Sequence, residues 1–257
     1  MSETAWIVLG SSAGMPQAGR VSSGYLLKSN NDLYLFDCGG GVSHSFRKSG
    51  FDPLAVKKIF ISHTHSDHCS DLALFVQMNY LFHRAEPLEI YLPAEAVNIF
   101  KSYFNAVYLF PEKFPCDIIF KSVEEGQTVQ DSRISVRPIL NSHFNHNREL
   151  IEQLDLPNRM QCFSYLIQCG GRRILYSSDL GSESDIMHYL DDLDLLVIET
   201  THIDLKPVLE AAVNKKIKRV LLTHIDEDFH IEPIREIAAK IGFDNLVLAT
   251  DGLQIEL

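Results

Sequence analysis

Residues 61–68 read Ile-Ser-His-Thr-His-Ser-Asp-His. His63, His65, Asp67 and His68 thus place three imidazoles and a carboxylate within six residues, the donor types that zinc and similar divalent cations take. A short apolar run, 58–62, predicts a buried strand ending just before them. While the chain is still extended, residues two apart point the same way, so His63 and His65 can face one cation. A turn then lets Asp67 and His68 face a second point nearby. Four side chains do not close two metal sites, so further donors are expected at other strand ends. His143 follows a predicted strand at 133–139, Asp179 one at 173–177 and His224 one at 219–223. All three stand just past a C-terminal strand end, where open α/β sheets collect their sites. His146 is the rival to His143.

The elements that must carry these residues are short. Strands are expected at 6–9, 23–28, 33–37, 58–62, 88–92, 117–122, 133–139, 163–169, 173–177, 193–199, 219–223 and 246–249. Helices are expected at 44–49, 72–84, 94–108, 206–216 and 232–241. Each half opens with strands and closes on strand–helix alternation, which suggests an α/β four-layer αββα sandwich. The chain is read as a single domain, 1–257. Within it, 141–161 is polar, without a clear period, and is expected to be a lid or substrate loop.

At 257 residues, 46% hydrophobic and 22% charged, the composition is that of an ordinary globular protein. A formal charge of −11 gives no bulk signal for nucleic-acid binding. Bound cations or the local runs Lys57-Lys58, Arg172-Arg173, Lys215-Lys216 and Lys218-Arg219 could reverse the sign locally, although each run reads first as solvated surface charge. Five cysteines, none in C-x-x-C spacing, argue against a disulfide framework. No signal peptide and no membrane span are expected, and cytoplasmic residence is the default. Cys69 reads as packing rather than as a ligand. Trp6 and the aromatic-rich stretch 99–110 read as core or a dimer face. Gly10, Ser11, Ser12 and Gly14 read first as turn residues, with presentation of backbone N–H groups to an anion as the alternative.

The motif His63-x-His65-x-Asp67-His68, followed in order by His143, Asp179 and His224, resembles the metallo-β-lactamase superfamily over nearly the whole chain. Its ribonuclease Z branch, which processes the 3′ ends of tRNA, and small phosphodiesterase relatives are the most similar. Supporting stretches are Leu9 to Pro16, Ser22 to Leu27, Leu35 to Gly41 and Glu199-Thr200-Thr201. The resemblance implies the metallo-β-lactamase fold and two divalent ions. His63, His65 and His143 would hold one, Asp67, His68 and His224 the other, and Asp179 would bridge. Zinc is the default, and the mixed ligands also suit manganese and iron. A homodimer is implied only by the family. The chain departs from that nuclease in two ways: the span from Thr201 to Thr223 has no His-Ser-Thr motif, and no Gly/Pro-rich tRNA-gripping arm is evident.

The expected function is therefore a phosphodiesterase acting on a small anionic substrate through a hydroxide shared by two metals. The alternatives are a ribonuclease Z-like RNA endonuclease and a thioester or lactone hydrolase. A non-catalytic scaffold is disfavoured because all seven donors are present. Asp67 is expected to ligate a metal and orient the nucleophile. His202 is a candidate proton donor, while Glu199 and Asp37 are candidates to orient ligand histidines.

Overall fold

The computed structural model describes residues 3–257. Two compact units divide it: residues up to Glu124 with Thr250–Glu256, and Glu125–Ala249 with Leu257.

The first unit holds strands β1 (Thr4–Gly10), β2 (Gly24–Ser29), β3 (Asp32–Phe36), β4 (Val56–Phe60), β5 (Leu88–Pro93), β6 (Ile118–Val123) and β14 (Gln254–Glu256). Its helices are α1 (Val42–Lys48), α2 (Ser66–Cys69), α3 (Leu72–Leu81) and α4 (Val97–Ala106). The sheet runs β14-β1-β2-β3-β4-β5-β6. Pairing is antiparallel from β14 to β3 and parallel from β3 to β6. The near-continuous apolar run of β1 follows from burial on both faces. On one face Ile7, Leu26, Leu35, Ile59 and Ile90 pack with Val42, Phe46, Phe75, Val76 and Phe104 of the helices. On the other, Trp6, Tyr25, Phe36, Phe60 and Tyr91 form a row with neighbouring centroids 4.9 to 5.8 Å apart. Trp6 is core, as expected. Phe104 is buried too, but Ile99, Tyr103 and Tyr108 of the 99–110 stretch are exposed.

The second unit holds β7 (Val129–Gln130), β8 (Ile134–Leu140), β9 (Phe163–Cys169), β10 (Arg172–Tyr176), β11 (Leu195–Glu199), β12 (Val220–Thr223) and β13 (Leu246–Leu248), with α5 (Arg148–Gln153), α6 (Leu205–Asn214) and α7 (Glu232–Ile241). Its order is β13-β12-β11-β10-β9-β8-β7. Strands β10 to β13 pair in parallel and β7 to β10 antiparallel. Leu166, Leu175, Leu196 and Leu222 pack with Leu205, Val208 and Leu209 of α6 and Ala238 of α7. Parallel strands end along one sheet edge, so each unit collects its loops after β3 and β4, or after β10, β11 and β12, on one rim.

Several elements differ from expectation. Residues 141–161 are not wholly irregular: a 3₁₀ turn, His143–Asn147, runs into α5. Strand β14 was not anticipated because three residues carry no readable period. Helix α3 stops at Leu81, since His83 takes φ 54° and Arg84 turns inward. Among the described residues no helix is long and apolar enough to cross a membrane. The basic runs are partly neutralised, by Lys58–Glu89 at 2.8 Å, Lys215–Asp191 at 2.9 Å and Lys218–Asp194 at 2.7 Å.

Arg84 is 1% exposed. Its guanidinium donates to the carbonyls of Pro53, Val56, Glu86 and Pro87 and to Asn79 Oδ1, tying the end of α3 to the entries of β4 and β5. Arg84→Met would leave these buried acceptors without donors. It should cost at least about 3 kcal/mol, read from the urea midpoint; a change within about 0.5 kcal/mol would contradict this account.

Candidate metal centre

The first cluster begins where β3 ends. Asp37 is fully buried and takes a left-handed φ of 57°. Its carboxylate lies beside the end of β4: Oδ1 accepts from Ser62 N at 2.7 Å, and Oδ2 from Ser62 Oγ at 2.9 Å. Oδ2 also meets His68 Nδ1 at 2.8 Å. His63 continues the line of β4 and is buried, while His65 is exposed, its ring 4.9 Å from that of His63. The single turn of α2 then brings in Asp67 and His68, and the His68 ring lies 4.2 Å from the His63 ring. His68 Nε2 is 3.3 Å from Asp67 Oδ2. Gly39 is required here, because a Cβ on it would stand 1.9 Å from the Asp67 carbonyl oxygen.

These bonds fix proton positions. An ionised Asp37 only accepts, so the Ser62 hydroxyl donates to it and must accept from His63 Nδ1, 3.0 Å away. His68 Nδ1 also donates to Asp37. One carboxylate thus places the proton of both imidazoles on Nδ1 and leaves the Nε2 lone pairs for a cation.

In the second unit the donors again follow strand ends. Asn141 Oδ1 accepts from His143 N at 3.1 Å. Asp185 Oδ2 accepts from Ser142 N and Oγ and from Gly181 N and Ser182 N. It joins the turn before His143 to the turn after Asp179. Gly181 allows that approach, since a Cβ there would stand 2.4 Å from the Ser142 backbone. Asp179 is 2% exposed, with Oδ2 3.7 Å from His143 Nε2 and Oδ1 3.4 Å from His224 Nε2. Its two oxygens therefore face different imidazoles. Thr201 Oγ1 donates to the His224 carbonyl at 2.9 Å and so accepts from His224 Nδ1 at 2.8 Å, setting the same tautomer. Ser178 (φ 52°) and His224 (φ 53°) have left-handed backbones, a strain held only where surroundings over-determine it.

Within the first unit, donor atoms of His63 and His65, and of Asp67 and His68, lie within 4.8 Å of one another; within the second, so do those of His143 and Asp179, of Asp179 and His224, and of Glu199, His202 and His224. Asp179 thus belongs to two donor pairs of the second unit, and each unit offers candidate metal ligands. The residues fit divalent cations on donor chemistry: every member is an imidazole or a carboxylate, and three of the imidazoles have Nδ1 held by a second residue.

Other sequence candidates have different surroundings. His146 falls in none of these groups, and its Nδ1 meets the His143 carbonyl at 2.8 Å. Burial pushes the Cys69 thiol up to about 12, and its Sγ lies 3.3 Å from the His65 carbonyl as a donor, consistent with packing. Glu199 accepts from the backbone N–H groups of Leu180, Thr201 and His202 and holds His202 Nδ1 at 2.7 Å. It orients His202 rather than one of the seven donors. The His202 ring is 4.8 Å from His143 and 5.6 Å from His224. In the Gly10–Gly19 loop, Ser11 Oγ donates to Asp251 Oδ1, while a Cβ on Gly10 would stand 1.9 Å from the Ser22 carbonyl oxygen, so these two positions serve the turn. Sequence reasoning missed Thr201, Asn141 and Asp185 as supports.

Asp37→Ala removes the acceptor for Ser62 and His68 without touching any of the seven donors. Metal affinity should fall about 10- to 100-fold in chelator competition, with the fold retained by circular dichroism. Unchanged affinity would contradict the tautomer argument.

Residues 33–225 match the model of the β-lactamase superfamily domain. The chain is 25% identical to ribonuclease Z of Nitrosopumilus maritimus over 300 aligned positions, covering 98% of this chain and 99% of the relative. The structure superposes on the metallo-β-lactamase fold protein YhfI from Bacillus subtilis with a TM-score of 0.78, at 20% identity and covering 100% of both chains. On the short form of human tRNase Z the TM-score is 0.75, at 20% identity and covering 98% of each chain. The fold is the metallo-β-lactamase fold that the motif implied. With a family match from 33 to 225 and candidate metal ligands at the strand ends of both units, this chain belongs to the β-lactamase superfamily as a metal-dependent hydrolase.

Proposed function

We propose that the chain is a phosphodiesterase that cuts RNA in the manner of ribonuclease Z. The observation that carries this reading is full-length similarity to a ribonuclease Z, 98% of this chain against 99% of the relative, with all seven donors in place. It reorders the sequence expectation, in which a small phosphodiester came first and RNA second.

In this reading His63, His65 and His143 hold one cation, Asp67, His68 and His224 the other, and Asp179 reaches both. Two divalent ions, zinc by default, would make water acidic enough to attack at neutral pH and offset charge building on the phosphate oxygens. Asp67, its side chain 11% exposed, orients the attacking water. Gly14 forms the wall beside it, its Cβ position 3.8 Å from Asp67 Oδ2. His202, held at Nδ1 by Glu199, offers Nε2 to protonate the leaving oxygen. Segment 141–161, with Leu150 and Leu154 of α5 exposed, acts as the substrate loop.

A second reading, a small phosphodiester as substrate, is favoured by two observations. The 300-position alignment is longer than the 257-residue chain, so the relative carries segments with no counterpart here, and the net charge is −11. Metal-loaded protein should cut a precursor tRNA at its 3′ trailer. Hydrolysis of bis(p-nitrophenyl) phosphate or a cyclic nucleotide with the RNA left intact would replace the first reading by the second. Turnover of thioesters or lactones alone would end both. His202→Ala should lower kcat on RNA about 10²- to 10⁴-fold while metal content stays constant. It should cost far less on the p-nitrophenyl ester, whose leaving group needs no proton. Equal losses on the two substrates would remove His202 from the proton-donor role.

A further inference from the structure

At the far end of β10 from Asp179 lies a cleft of about 540 Å³, lined by Arg133, Arg172, Arg173, Ser135, Gln168 and the Gly170-Gly171 turn among others. Strand register explains it. Ser135 pairs with Gln168, and Gln168 with Arg173, so these three side chains form one row across β8, β9 and β10. Side chains two apart share a face, so the row lies on the face that buries Leu166 and Leu175 under α6 and α7. Apolar packing stops short of the row: Gln168 is exposed, and Ser135 and Arg173 are half-buried.

Three arginines and one carboxylate stand in the cleft lining. Arg172 meets Asp194 at 3.3 Å, an oxygen it shares with Lys218. Asp131, the carboxylate in the lining, accepts through Oδ1 from the backbone N–H groups of Arg133 and Ile134. Arg173 Nε is buried and has no hydrogen-bond partner among the described residues. A buried guanidinium N–H without an acceptor is rare, and this guanidinium belongs to a residue of the cleft lining. The neighbours present donors of their own: the exposed Arg133 guanidinium, the Gln168 amide and the Ser135 hydroxyl. Guanidinium groups pair with phosphate through parallel charge-assisted bonds, which tolerate partial burial better than lysine contacts do.

We propose that this cleft is a second anion site that binds a phosphate group, with Arg173 as its anchor and Arg133, Gln168 and Ser135 around it. The phosphate is carried by a small molecule or by a nucleic-acid backbone, which offer the same oxygens. The proposal does not rest on the reaction assigned above, since none of these residues belongs to the metal groups.

The test uses ¹⁵N-labelled, metal-loaded protein titrated with inorganic pyrophosphate, and in a second arm with a short single-stranded RNA. Pyrophosphate should shift the backbone amides of Gln168, Gly170, Gly171 and Arg173 saturably. Signals at residues 63–68 and 224 report any binding at the metals separately. Arg173→Gln and, independently, the exposed Arg133→Gln should each weaken the cleft response about tenfold and leave the metal-loop response unchanged. Having a variant at the surface keeps the test decisive should Arg173→Gln not fold. RNA shifting the same amides identifies a nucleic-acid backbone as the source, and pyrophosphate alone identifies a small phosphate. Shifts confined to the metal loops, or a cleft response indifferent to Arg133, would overturn the proposal.

Discussion

A fully buried carboxylate constrains the centre. Asp37 is fully buried, and among the groups its oxygens meet are Ser62 N, Ser62 Oγ and His68 Nδ1. A buried charge is tolerated only when its acceptor sites are filled, so Asp37 dictates where protons sit on its neighbours. His68 and, through Ser62, His63 must carry theirs on Nδ1 and turn Nε2 away. Everything that places Asp37 therefore bears on metal binding: the parallel pairing of β3 with β4, the left-handed backbone at Asp37, and the absence of a side chain at Gly39, where α2 crosses. Thr201 does the same for His224 with a neutral hydroxyl, without the desolvation cost of a second buried charge.

Topology supplies the rest. In each unit the sheet changes from antiparallel to parallel partway across, and the chemistry stands after the parallel strands: Asp37 after β3, His63 after β4, Asp179 after β10, Glu199 at the end of β11 and His224 after β12. His143 follows β8, which runs in the same sense as β10 because two antiparallel pairings separate them. Left-handed backbones at Asp37, Ser178 and His224 re-aim the chain where it leaves the sheet. The packed strands give these bends a rigid base, and the loops need only short reaches.

The motif at 63–68 was legible because its donors are adjacent and follow an apolar run. Asp179 and His224 were legible as polar residues just past such runs, and the superfamily order made the set specific. The support network was less so. Asp37 could be suspected near the motif, but its route through Ser62 to His63 depends on one strand lying beside another. Asp185 and Gly181 act on Ser142 from some forty residues away, and local spacing carries no trace of that. Strand β14 is too short for any period, and α5 was hidden in a polar stretch because none of its residues is buried. The sequence also ranked a small substrate ahead of RNA on charge and missing motifs. Full-length similarity to a ribonuclease Z is what supports the proposal that puts RNA first, and net charge describes the whole surface, not the groove a substrate meets.

We propose that seven side chains hold two cations with one carboxylate in common. Crystals of zinc-loaded protein measured at the zinc absorption edge test it most directly. Two anomalous peaks are expected, one beside His63, His65 and His143 and one beside Asp67, His68 and His224, with the Asp179 carboxylate reaching both. A single peak, or peaks that Asp179 does not touch, would contradict it.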